Sequence, residues 1–132
     1  MQFITLFISY LIPAVLIDSV WLFLVAKNFY ATRIGHLMGQ GFHIVPGIAL
    51  YIIYTVGITF FVTLPALKGE YSFIKIFLIG ALFGFVTYAT YDLTNQTTLK
   101  NWPMIMTLVD VLWGTILSGG VSVLAVYLTK LF

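Results

Sequence analysis

Four long apolar runs, separated by three short polar stretches, set the hydropathy pattern of this chain. The first runs from Phe3 to Ala26 and is broken only by Pro13 and Asp18. The second covers 48–67, the third 73–93 and the fourth 104–129. Crossing the hydrocarbon takes about 20 mostly apolar residues per helix, so four spans use roughly 90 of the 132 residues. The pattern predicts an all-α membrane protein, a single four-transmembrane-helix bundle over residues 1–132. Barrel strands would alternate in segments of about ten residues, whereas these runs are continuous. Proline removes a backbone donor and crowds the preceding turn, so a bend is expected near Pro13. Between spans one and two, Tyr30, Ile34, Leu37 and Met38 share a helical face. A short interfacial helix ended by Gly39 and Gly41 is one reading of this stretch, and an ordered loop is the other.

Within three of the spans a four-residue rhythm appears. Tyr51, Thr55, Thr59 and Thr63 form one ridge, Gly80, Gly84, Tyr88 and Asp92 a second, and Asp110, Gly114, Ser118 and Ser122 a third. Residues four apart share a helix ridge, and small or hydroxyl residues there let membrane helices approach closely. These ridges are expected to face the bundle interior. Packing accounts for the glycines, serines and threonines, but it does not account for the aspartates.

Composition sharpens the membrane reading and removes several chemistries. The chain is 61% hydrophobic and 8% charged, with a mean hydropathy of +1.09. It contains no cysteine, which excludes disulfides, thiol nucleophiles, iron–sulfur clusters and thioether-linked haem. A net charge of +2 without a basic run gives no reason to expect nucleic acid. The first run is too long for a signal peptide and lacks its positive start, so it is expected to be retained as a span. Lys27, Arg33 and Lys100 fall on one side of the membrane and Lys68, Lys75 and Lys130 on the other, three against three. Because Lys27 and Arg33 closely follow the first span, the lean is towards termini outside.

Candidate chemistry gathers between Thr87 and Asp110. An acid at mid-span costs roughly 2.5 to 3.5 kcal/mol, so Asp18, Asp92 and Asp110 together cost up to about 10. From a rise of about 1.5 Å per residue, Asp18 lies about 12 Å inside Ala26, and Asp110 about 10 Å inside Pro103. Both depths refer to one membrane face, and Asp92 is placed at that face as well. A single acidic vestibule is the expectation. Trp21 follows Asp18 by three residues, and Trp113 follows Asp110 by three, so two D-x-x-W elements run antiparallel at matching depth. An aromatic wall beside carboxylates can hold a cation. Trp102, beside Pro103, reads instead as an interface anchor.

Asp92 has a second reading, as part of a helix stop after Leu93 in which Thr94 and Asn95 fold the turn. Lys100 or Arg33 would then serve as a counterion. Tyr51, Tyr88 and Tyr91 are expected to support the site. His36 and His43 belong to the same face and are the only imidazoles available for a metal, but no H-x-x-x-H, H-x-x-H-H or E-x-x-H spacing occurs. No cofactor is expected. Asn95-Gln96-Thr97 matches a glycosylation sequon, a weak three-residue signal tight against a helix end.

Y-A-T-Y-D-L-T-N at 88–95, T-L-K-N-W-P at 98–103, D-x-x-W-G at 110–114, D-x-x-W at 18–21, G-H-L-M at 35–38 and P-A-L at 65–67 carry a resemblance. They resemble the bacterial membrane family catalogued as domain of unknown function 2177, over nearly the whole chain. The resemblance implies a four-span protein of the bacterial inner membrane and no established activity.

Three functions fit. The vestibule binds or transports protons or a small cationic or polar solute, with Asp18 and Asp110 as the ionisable pair. A membrane enzyme would use Asp110 or Asp18 as general acid or base on a lipid-soluble substrate, with His36 or His43. An accessory subunit would pack its ridges into a larger membrane complex. Beyond the lipid bilayer, the expected partner is a second copy or such a complex.

Overall fold

The computed structural model describes residues 1–39, 41 and 43–132, and only helices occur among them. Helix α1 (Gln2–Val20) continues through a π-helical turn, Trp21–Val25. The short α2 (Lys27–Ile34) follows, and a 3₁₀ turn at Gly35–Leu37 ends it. The second span combines α3 (Ile44–Ile58), a π-helical turn (Thr59–Thr63) and α4 (Leu64–Lys68). The last two spans are α5 (Phe73–Thr98) and α6 (Met104–Leu131). Four helical stretches are long and apolar enough to cross a membrane: Gln2–Val25, Ile44–Lys68, Phe73–Thr98 and Met104–Leu131.

Two boundaries differ from the hydropathy reading, each for a local reason. Span two begins at Ile44, since Pro46 sits in the first helical turn, where backbone N–H groups lack an intrahelical partner anyway. Span three continues to Thr98, so the helix stop expected at Asp92–Asn95 is corrected: Asp92 lies well inside α5. The threonines that suggested a turn instead bond back into the helix. Thr94 Oγ1 donates to the Thr90 carbonyl at 2.5 Å, Thr97 to Leu93 at 2.8 Å and Thr98 to Thr94 at 2.8 Å, so their hydroxyls do not compete with helical backbone bonding. The helix predicted between spans one and two is present as α2, but it stops at Ile34 instead of Gly39. The expected stop at Gly39 and Gly41 also takes in Gln40, which lies outside the described residues.

The predicted ridges pack α5 against α6. A Cβ on Gly80 would come within 2.6 Å of Ser122 Oγ and 2.9 Å of the Ser118 carbonyl, and one on Gly84 would run into the Gly114 carbonyl. The ring of Tyr88 occupies the space a Cβ on Gly114 would need. Lipid tails are as apolar as leucine, so close backbone approach and polar contacts, in place of a hydrophobic drive, hold such helices together. The interior is correspondingly polar: Thr55, Thr59, Thr63, Asp92, Ser118 and Ser122 are fully or almost fully buried. Meanwhile Ile4, Ile8, Ile12 and Leu16 on α1, and Leu78 and Leu82 on α5, are exposed as lipid-facing positions.

A fourth ridge, on α1, completes the core. Leu6, Tyr10, Ala14 and Asp18 are all buried and four apart. Tyr10 and Ala14 pack with Ile58, Val62, Leu117, Val121 and Ala125, and Leu6 with Ala66, Ile76 and Val126. A separate cluster at the long-loop end joins Ala26, Tyr30, Trp102 and Met106.

Candidate functional site

The α1 ridge carries Asp18 to the level where α3 supplies Tyr51 and α6 supplies Trp113. Trp113 Nε1 donates to Asp18 Oδ1 at 2.9 Å, and the Tyr51 hydroxyl donates to Asp18 Oδ2 at 2.5 Å. One carboxyl, 9% exposed, thus ties together spans one, two and four. Charge-assisted bonds of this kind are shorter and stronger than neutral ones.

The partner D-x-x-W element is wired the other way round. Trp21 lies in the π-helical turn and stacks on Trp113 with ring centroids 4.3 Å apart and planes 9° apart. Its Nε1 donates at 2.9 Å to the Tyr30 hydroxyl, which donates in turn to Asp110 Oδ1 at 3.1 Å. Each aspartate is therefore served by the other element's tryptophan, directly at Asp18 and through Tyr30 at Asp110. Burial holds the Tyr30 hydroxyl well above its ordinary pKa, and the neighbouring Asp110 adds to the effect. Tyr30 remains a neutral donor.

Asp92 continues the α5 ridge one turn beyond Tyr88 and meets Asp110 across the helix interface. It is completely buried, and neither carboxyl oxygen has a hydrogen-bond partner among the described residues. Buried polar groups are nearly always paired, so this one calls for an explanation. Lys100, expected as a counterion, is exposed on the α5–α6 loop and does not reach Asp92.

A cavity of about 390 Å³ lies between the helices. Its walls carry Asp18, Asp110 and Trp113, six tyrosine rings (Tyr10, Tyr30, Tyr51, Tyr54, Tyr88 and Tyr91), and Ala14, Leu22, Leu50 and Leu117. Among the described residues, no basic side chain lines it. Tyr54 anchors the wall through its hydroxyl, 2.5 Å from Ser118 Oγ, and through edge-on contacts with Phe83 and Tyr88.

Asp18, Trp21, Asp92, Asp110, Trp113, Tyr51 and Tyr88 are thus brought together, with Tyr91 at the cavity edge. Other sequence candidates stand apart. Arg33 lies over the Phe29 ring, 5.2 Å from its centroid. Thr94 bonds into its own helix, and the Asn95 carbonyl accepts the Leu99 N–H. His36 and His43 are exposed, and no group of three His, Asp or Glu side chains among the described residues is placed to hold a metal. Trp102, expected at the interface, is buried at 9% exposure and donates to Thr107 Oγ1 at 3.1 Å, which donates to Gln96 Oε1 at 2.9 Å. Sequence reasoning missed Tyr10 and Tyr54 and placed Tyr30 on an interfacial helix. The spacing of Tyr10, Ala14 and Asp18 was the available signal for the first.

These features define a class: an all-α, four-span membrane protein with carboxyl groups in an aromatic interior cavity. The chain belongs to the family described as a predicted membrane protein, domain of unknown function 2177, whose model matches residues 3–127. No curated protein and no solved structure matches the chain.

Proposed function

We propose that the cavity binds a small cation, or a polar solute carrying a cationic group, as part of a transport or sensing role in the bacterial inner membrane. One observation carries this reading: carboxyls enter a tyrosine- and tryptophan-walled cavity from α1 and α6, and no basic side chain among the described residues lines it. Aromatic faces attract cations more strongly once water is removed, and a carboxylate supplies the charge. Asp110 is the expected binding group. It accepts a single hydroxyl, at Oδ1, whereas both oxygens of Asp18 already hold donors. Asp92 lies behind Asp110, outside the cavity lining.

The test is a titration of the protein in lipid nanodiscs with methylammonium, ethylammonium and guanidinium, followed by tryptophan fluorescence. The Trp21–Trp113 stack reports on the cavity directly. Saturable binding in the native protein and its loss in Asp110→Asn are expected. A native protein that answers none of these cations would end the reading.

A further inference from the structure

Packed side chains lie above and below the cavity, and helix contacts flank three of its four sides. At the long-loop end Tyr30 forms part of its roof, bonded to Trp21 and Asp110, and is sealed by Ala26, Trp102 and Met106. At the opposite end Ile58, Leu117 and Val121 pack across the bundle. Helices α5 and α6 share the longest interface, and α1 packs against both α6 and α3.

The remaining side, between α3 and α5, is different. These helices meet through Tyr54 with Phe83, Thr87 and Tyr88, and through Gly57 beside the Phe83 ring. The rest of span two reaches α5 through the π-helical turn below. Towards the loops from Tyr54, Leu50 on α3 and Tyr91 on α5 both line the cavity, yet they are 64% and 61% exposed. Residues that belong at once to a cavity wall and to the outer surface mark its mouth.

The depth of that mouth decides what can use it. Leu50 lies six residues after Ile44, about 9 Å along the helix, and Tyr91 lies seven before Thr98, about 10 Å. Within the apolar runs that mark the spans, 48–67 and 73–93, each lies two residues inside the end, at the edge of a bilayer's apolar core. A freely hydrated ion has no reason to approach through lipid, but an amphiphile lies with its head near this level and its tail beside the helices.

We infer that the cavity takes its ligand sideways from the bilayer, between α3 and α5, and that the ligand is an amphiphile with a cationic amine head and an alkyl tail. The inference rests on the cation-binding reading above and names the ligand class. The head lies against Asp110 among the tyrosine rings. The first carbons of the tail meet Ala14, Leu22, Leu50 and Leu117, and the remainder leaves through the mouth into lipid.

The test compares ethylammonium with decylammonium in phosphatidylcholine nanodiscs, by tryptophan fluorescence, with each free concentration corrected for partition into lipid. Decylammonium is expected to bind at least tenfold more tightly after correction and to lose its signal in Asp110→Asn. Because the chain has no cysteine, Leu50→Cys with Tyr91→Cys can be bridged across the mouth by a bis-methanethiosulfonate reagent. The bridge is expected to slow decylammonium association at least tenfold, and reductant to restore it. Should the double variant not fold, a spin label at Tyr91→Cys is read instead, with collision by molecular oxygen expected to exceed collision by a water-soluble nickel chelate. Equal binding of the two amines, an ineffective bridge or a water-facing label would overturn the membrane route while leaving the cation site intact. Failure of both amines to bind the native protein would remove the cation site itself, and the route with it.

Discussion

Asp18 and Asp110 sit in the same D-x-x-W setting, at matching depth and on one cavity, yet their surroundings differ. Asp18 receives a donor at each oxygen, from helices on two other spans. Asp110 receives one hydroxyl, from the short α2, and faces a second carboxyl that has no hydrogen-bond donor among the described residues. The first arrangement is that of a brace, since its bonds join three spans and leave little for a ligand to gain. The second leaves acceptor capacity unused inside a low-dielectric cavity, which is what a binding group needs. Repetition of a motif in a chain therefore does not imply repetition of its role. The role follows from how many donors the fold delivers to each copy.

The largest effect is expected at the brace. Asp18→Leu would leave Trp113 Nε1–H and the Tyr51 hydroxyl unpaired, and unfolding in mixed micelles with increasing dodecyl sulfate should show a loss of about 3 kcal/mol. Unchanged stability would erase the distinction between the two aspartates. Next comes Asp110→Asn, which keeps an acceptor for Tyr30 but removes the charge. Amine binding should weaken about 100-fold, or roughly 2.7 kcal/mol, with folding stability altered by less than about 1 kcal/mol. A matching loss of stability would make Asp110 a second brace. Tyr51→Phe removes one of the two bonds to Asp18 and should cost about 1 kcal/mol in the same unfolding measurement, in line with hydrogen bonds between membrane helices. The smallest effect belongs to Asp92. With no donor to lose, Asp92→Asn should leave stability within about 1 kcal/mol of the native protein or raise it slightly, and a large destabilisation would reveal a partner for this carboxyl.

Much of the architecture was legible in residue spacing. Gly80, Gly84, Tyr88 and Asp92 do face Asp110, Gly114, Ser118 and Ser122, because a four-residue repeat on two antiparallel helices can mesh only along its small side chains. The matching level of Asp18 and Asp110 was legible too: a helix has a fixed rise, so counting from the helix ends brings both to one cavity. The reading of Thr94 and Asn95 as a helix end was not sound. Threonine hydroxyls favour turns in water but bond to the preceding turn's carbonyls within a helix, and sequence does not say which acceptor wins. For Trp102, beside a helix end, the burial against Ala26, Tyr30 and Met106 was invisible, because it depends on how α2 folds back over the α5–α6 loop.

Sequence alone determined the four-span, all-α architecture, the inward faces of its ridges and the clustering of Asp18, Asp92 and Asp110 towards one end of the bundle. Each depends on period, length and transfer cost, which are properties of neighbouring residues. Tertiary structure decided that Trp113 serves Asp18, that Trp21 reaches Asp110 through Tyr30, and that Asp92 is buried without a donor among the described residues. Those outcomes depend on the rotation and separation of helices far apart in the chain. Side-chain hydrogen bonds form only within about 3 Å, and a one-residue turn of any helix, about 100°, would reassign every one of them.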